Sequence, residues 1–185
     1  MRVMHWIRRW NAGVAGVVVA AAAAVGGVFP SPAAVAQASA AGEGAGQQVV
    51  ERCLGEMRET VRKTAGAIGV VSKRSIGAIV KLDEKGAPDA VVVRAANNGL
   101  DAVRIAADRG HERVNGIAFR CTKALEKIGA PEGALEAVRA GAAAAHEAIH
   151  GHASAAREAI AGALEAALGG EDGDGDGDGD GETPA

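Results

Sequence analysis

The body of the chain repeats every eleven residues. From Leu135 it reads LEAVRAGAAAA, HEAIHGHASAA and REAIAGALEAA, and from Cys53 it reads CLGEMRETVRK, TAGAIGVVSKR and SIGAIVKLDEK. Eleven residues make three turns at about 3.67 residues per turn, so repeated apolar positions stay on one face of a nearly straight α-helix. Little of the sequence alternates as a strand would. The repeat therefore predicts an all-α protein.

Two matching breaks divide the repeat into three predicted helices. Both read Gly-Ala-Pro-acid, at 86–89 and 129–132. Glycine suits the end of one helix, proline the first turn of the next, and an acid there the positive end of the helix dipole. Because short loops make neighbouring helices antiparallel, we predict an elongated antiparallel three-helix bundle. Its helices are expected at 46–84, 88–128 and 131–168.

The predicted core is thin and rich in alanine and β-branched residues. Gly99 and Gly110 share a repeat position with Cys121 on the predicted apolar face of the second helix, which favours a close approach between helices. Glycines at 55, 66 and 77 fall opposite the apolar face of the first helix. The predicted core positions are Cys53, Leu54, Met57, Val61, Ala65, Ile68, Ile76 and Ile79 in the first helix and Val138, Ala145, Ile149, Ala156, Ile160 and Ala167 in the third.

The two cysteines test this topology. In a hairpin that turns at residue 87, residues that face each other have numbers that add to 174, and Cys53 and Cys121 meet this condition. We therefore predict a Cys53–Cys121 disulfide that closes the open end of the first hairpin, with two unpaired buried thiols as the alternative. Such a crosslink contributes roughly 4 kcal/mol in the chain-entropy description.

The N-terminal segment has the pattern of an export signal. A short basic start precedes an uncharged Ala/Val-rich run at 12–28, and small-x-small sites end at Ala36 and Ala40. This order predicts a signal peptide at 1–36, with Ala40 as the later cleavage point, followed by a linker at 37–45. An uncleaved membrane anchor is the alternative. Export to the periplasm or medium would put both cysteines in an oxidising compartment.

The C-terminal segment, 169–185, is built from different residues. Its EDGDGDGDGDGE run has no residue that can form a core, which predicts a disordered acidic tail. The run imitates an EF-hand loop, but the twelfth position is Thr183 instead of a carboxylate. The expectations are a solvated tail or weak calcium contacts through Asp172, Asp174, Asp176, Asp178 and Asp180.

The charge pattern argues against nucleic-acid binding. Segment 37–170 carries 17 bases and 16 acids, so it has no excess of positive charge for phosphates. The first two predicted helices each carry seven bases and five acids, whereas the third carries two bases and five acids. This difference favours packing of the third helix on the first two, and it offers a way to recruit other helices.

The HEAIH stretch at 146–150 fits the H-E-x-x-H zinc motif, with His146 and His150 as ligands and Glu147 as general base. A catalytic site also needs a third protein ligand and a cleft. The extended form of the motif needs glycine at 153 and histidine at 156, and alanine stands at both. Glu165, the downstream acid considered as a third ligand, lies about 22 Å beyond His150 along the same predicted helix.

The repeat offers a simpler origin for this motif. HEAIH aligns with LEAVR and REAIA in the neighbouring eleven-residue lines, so its glutamate belongs to a recurring polar stripe. A zinc metallopeptidase is therefore the less favoured hypothesis, and adventitious zinc binding by His146 and His150 without catalysis is the more modest one. We expect no resident cofactor.

Together these features predict an exported, non-enzymatic helical protein with a structural or interaction role. Its partner would be another protein or a second copy, bound through the helices. The alternative is a lipid-surface protein, because eleven-residue amphipathic repeats can lie flat on a membrane. The Ala-rich faces lack tryptophan and dense lysine, which favours weak membrane binding.

Overall fold

The computed structural model describes residues 44–169, which form three long α-helices. Helix α1 spans Ala45–Asp83, α2 spans Asp89–Lys127 and α3 spans Glu132–Leu168. Each helix packs against both others, and no strand occurs in the described part of the chain, which confirms the predicted all-α bundle. The helix bounds differ from the predicted ones by at most one residue. The predicted signal peptide and the aspartates of the tail lie outside the described residues.

The two Gly-Ala-Pro corners close their helices in the same way. Gly86 and Gly129 adopt φ values of 63° and 65°, a left-handed conformation that glycine takes without a Cβ penalty. In each corner the following alanine amide donates to a carbonyl five residues earlier, at 3.0 Å, and the glycine amide donates to the carbonyl three residues earlier. This pair of hydrogen bonds defines a Schellman motif. The prolines that follow, Pro88 and Pro131, precede the next helix.

The core lies along the axis between the three helices. Among the predicted core positions, Ala65, Ile76 and Ala167 are half-buried and the others are buried. Thr64 and Ser72 are the buried polar residues of the described chain. No helix within 44–169 contains a stretch long and apolar enough to span a bilayer. The largest fully buried side chains are Val50, Leu54, Met57, Val61, Ile68, Ile79, Val103, Val114, Leu125, Val138, Ile149 and Ile160.

Glycines on α2 set how closely the helices approach. A Cβ placed on Gly110 would lie 2.6 Å from Thr64 Cγ2 on α1 and 3.1 Å from Ile149 Cδ1 on α3. Eleven residues earlier, a Cβ on Gly99 would lie 2.5 Å from Ser75 Cβ and 3.4 Å from Ile160 Cδ1. Both glycines therefore stand where α2 meets α1 and α3 together. The eleven-residue period of the sequence is therefore also the spacing of these packing layers along α2.

A disulfide continues this register to the open end of the first hairpin. Cys53 and Cys121 are bonded, and their Cα atoms lie 6.2 Å apart. Each cysteine is eleven residues from the Thr64–Gly110 contact on its own helix. The predicted pairing is confirmed, and it fixes α1 against α2 at the end opposite the turn.

We predict opposite outcomes for one substitution at two glycines. Gly110→Ala should lower the free energy of unfolding by about 1–3 kcal/mol, because its Cβ overlaps Thr64 and Ile149. Gly66→Ala on α1 should raise it by about 0.5–1 kcal/mol, because nothing lies within 4 Å of that Cβ and alanine favours the helix. Urea unfolding followed by circular dichroism measures both values.

A double variant checks that the overlap with Thr64 is the cause. Thr64→Ala removes Cγ2 and Oγ1, so Thr64→Ala combined with Gly110→Ala should be less destabilised than the sum of the two single changes. Strict additivity would show that Gly110 matters for another reason.

We also predict that the disulfide contributes strongly to stability. Reduction, or a Cys53→Ser/Cys121→Ser variant, should cost roughly 4 kcal/mol, because the bond closes a long loop whose ends are 68 residues apart in sequence. Thermal unfolding with and without reductant measures the loss in the wild type, and the double variant should not respond to reductant. An unchanged melting temperature in reduced wild type would contradict this assignment.

Candidate functional site: a histidine pair between two helices

The residues of HEAIH face different surroundings on α3. His146 is half-buried and turns toward α2, whereas Glu147 and His150 are exposed. The structure thus brings His146 to residues of another helix rather than into a cleft shared with Glu147. Within 44–169, no group of three or more His, Cys, Asp or Glu side chains is arranged to hold a metal ion.

The partner of His146 is His111 on α2. Their Nδ1 atoms lie 2.7 Å apart, and their ring centroids lie 4.9 Å apart with an angle of 27° between the planes. The centroid distance is close to the Nδ1 distance plus one ring diameter. The rings therefore meet edge to edge through these nitrogens, although their planes are nearly parallel.

Asn115, one turn after His111, fixes the protonation pattern of the pair. Its Oδ1 lies 2.9 Å from His146 Nε2. An amide oxygen only accepts, so Nε2 of His146 donates and carries the proton. Nδ1 of neutral His146 is then unprotonated, and it accepts a hydrogen bond from the Nδ1–H of His111. These tautomers are assigned from the hydrogen-bond network.

The packing layers explain why the two histidines meet. His111 follows Gly110, and His146 precedes Ile149 by one helical turn. Because Gly110 has no side chain, Ile149 approaches the α2 backbone closely at this point. The flanking side chains on the same seam are therefore brought within hydrogen-bonding distance. His111 and His146 therefore lie beside this packing layer, at its border with solvent.

Sequence reasoning missed His111 and Asn115 as members of the site. A register count like the one that pairs the cysteines puts them at about the level of His146, but it does not show which side chains face each other. For a turn near 129–130, facing residues of α2 and α3 have numbers that add to about 259, and His111 and His146 add to 257. The H-E-x-x-H pattern instead pairs His146 with His150 on the same helix.

Burial and the neighbouring ring both act on the charge of His146. Burial lowers the pKa of His146 below its ordinary value, and the His111 ring lowers it further. His152, two residues beyond the motif, also has a lowered pKa because of burial. On the surface, hydrogen bonds from Arg62 and Lys63 lower the pKa of Glu59.

The described residues thus form a disulfide-linked three-helix bundle. A polar cluster that contains the histidine pair lies in the seam between α2 and α3. No known protein family, curated protein or solved structure matches the chain.

The lowered pKa values predict a loss of stability on acidification. A histidine whose pKa is lower in the folded state takes up its proton first in the unfolded state. Its contribution to stability is therefore full above the unfolded value of about 6.5 and is lost as the pH falls below it. The melting temperature should drop by a few degrees between pH 7.5 and 5.0, beyond the change seen in a His146→Gln variant.

The control for this experiment is the same substitution at His150. His150→Gln should keep the wild-type pH dependence, because that ring is exposed on α3. The scans are run with a chelator so that only protons compete for the rings. Equal pH dependence in wild type and His146→Gln would contradict the role assigned to the pair.

Proposed function

We propose that this chain is an exported, non-enzymatic helical protein that binds a protein partner through its outer surface. Two features support export. The 1–36 segment has the order of a signal peptide, and the Cys53–Cys121 disulfide is of the kind that persists in oxidising compartments. A clamped hairpin presents its surface residues with little loss of conformational freedom on binding.

The observation that carries the interaction role is the exposure of Phe119. It is the one Phe, Trp or Tyr side chain of the described chain, and 66% of its surface is accessible. Aromatic side chains are enriched at the energetic centres of interfaces. Elsewhere in the bundle the large apolar side chains mostly lie inward, so an outward phenylalanine is a natural anchor for a partner.

An open groove between α1 and α2 runs beside this anchor. Gly116, three residues before Phe119, and Arg120, the residue after it, line the groove together with glutamates of α1. Arg120 forms an ion pair of 3.5 Å with Glu56 across it. A partner that inserts an apolar side chain next to Phe119 would meet both signs of charge at the rim, which suits a second amphipathic helix.

We predict that Phe119→Asp abolishes partner binding without unfolding the bundle. The oxidised protein is immobilised and exposed to proteins of its own envelope or medium, and the same preparation is examined for self-association by sedimentation. Specific capture or self-association should be lost in Phe119→Asp, since a charge there prevents apolar contact.

Val70→Asp is the matched control. Val70 on α1 is also an exposed apolar residue, with 50% of its surface accessible, so this change adds the same charge without touching Phe119. Both variants should keep the helical circular dichroism of the wild type. Identical capture by all three proteins would contradict an interface centred on Phe119.

The lipid-surface hypothesis requires the three-helix bundle to open. The apolar faces of all three helices are buried against each other, so they reach a membrane only if the bundle opens. Vesicle co-sedimentation that appears only after reduction would favour this alternative, because reduction removes the covalent link between α1 and α2 at the open end of the hairpin. The metallopeptidase hypothesis still requires a third ligand beside His146 and His150, and peptide hydrolysis with added zinc tests it directly.

A further inference from the structure

We propose that His111 and His146 form a binding site for a divalent late transition metal of the zinc class, which would link α2 to α3. The proposal differs from the H-E-x-x-H hypothesis in its ligands. There the ion joins His146 to His150 on one helix, whereas here it joins two helices. It is independent of the proposed partner surface at Phe119.

The first argument is the direction of the ring nitrogens. The Nδ1 atoms of His111 and His146 point at each other and lie 2.7 Å apart, with one proton between them. A metal cation can take the place of that proton. Zinc binds histidine nitrogen at about 2.0–2.1 Å, which puts two tetrahedral ligands about 3.3 Å apart. The rings must therefore separate by roughly 0.6 Å and tilt, so that both lone pairs turn toward an ion that lies off the line between the two nitrogens. Both are half-buried at the edge of the seam, where side chains can shift and water can complete the coordination.

The second argument is the hydrogen bond that orients His146. Metal-bound histidines typically donate their other ring N–H to an oxygen, which fixes the tautomer and the ring plane. Asn115 Oδ1 accepts from His146 Nε2 at 2.9 Å, and this leaves Nδ1 of His146 as a lone pair facing His111. His111 becomes the second ligand when its proton moves from Nδ1 to Nε2 by exchange with water, a change of tautomer that releases no net proton from the neutral pair.

The chain offers two competing ligand sets, which makes the proposal easy to test. The exposed His150 with His146 would retain zinc by a single-helix chelate, and the aspartates at 172–180 would attract cations through their negative charge. Substitutions at His111 and His150 distinguish these cases, because His146 and the tail remain present in both variants.

The experiment is a Zn²⁺ titration of the full oxidised chain by calorimetry, at neutral pH and moderate ionic strength. His111→Gln should weaken zinc binding at least tenfold, whereas His150→Gln should change the dissociation constant less than twofold. A tenfold loss in both variants would add His150 as a third ligand and would still support His111. Unchanged affinity in His111→Gln overturns the proposal, as does a loss confined to His150→Gln.

A second measurement keeps the test valid if His111→Gln folds poorly. In wild-type protein, the imidazole ¹⁵N resonances report which ring nitrogen binds the ion. Stoichiometric zinc should shift Nδ1 of both His111 and His146 and leave Nε2 of His146 protonated. Shifts at His146 and His150 with His111 unchanged would assign the metal to the single-helix pair and reject the proposal.

Discussion

The close approach of α2 to both other helices is the constraint on which the rest of the structure depends. Gly110 and Gly99 leave no room for a Cβ against Thr64 and Ser75, so α1 and α2 can pack only in the register that aligns these positions. The disulfide continues the same spacing by another eleven residues toward the open end of the hairpin. A slip of one residue would move a side chain into each glycine site and separate the sulfurs. Steric fit and the covalent bond thus select one register, although an alanine-rich repeat alone would tolerate several.

This arrangement also explains how so thin a core can be stable. Small side chains bury little apolar area each, so their contribution through the hydrophobic effect is modest. Close helix approach recovers packing contacts that alanine and glycine would otherwise leave unmade. The disulfide acts on the unfolded chain by removing conformations rather than by adding buried surface. The two effects are complementary, because one depends on side-chain contacts and the other does not.

The fold follows from the sequence more directly than the site does. The eleven-residue period predicts the helices, the Gly-Ala-Pro corners predict the turns, and their spacing predicts the cysteine pairing, because each depends on backbone conformation or chain geometry. The burial of Thr64 was not predicted, since it results from the missing side chain of Gly110 on another helix. The His111–His146 contact depends on the rotation of α3 about its axis, which a register count does not provide. A local motif concerns residues of one helix, whereas this site is formed by residues of two helices.

The position of the histidine pair gives it an influence on the fold that a surface site would lack. Helices α1 and α2 are joined by a turn at one end and by the disulfide at the other, so their relative position is fixed twice. Helix α3 is joined to α2 only by the corner at Gly129 among the described residues, and its docking otherwise depends on side-chain contacts. Because fewer constraints hold α3, we expect sub-global opening to begin at its packing against the hairpin. The hydrogen bond between His111 and His146, and the metal ion proposed for the same place, would act on this seam, away from the crosslinked hairpin. The free energy of interaction at this pair would therefore change the equilibrium between α3 packed on the hairpin and α3 released from it.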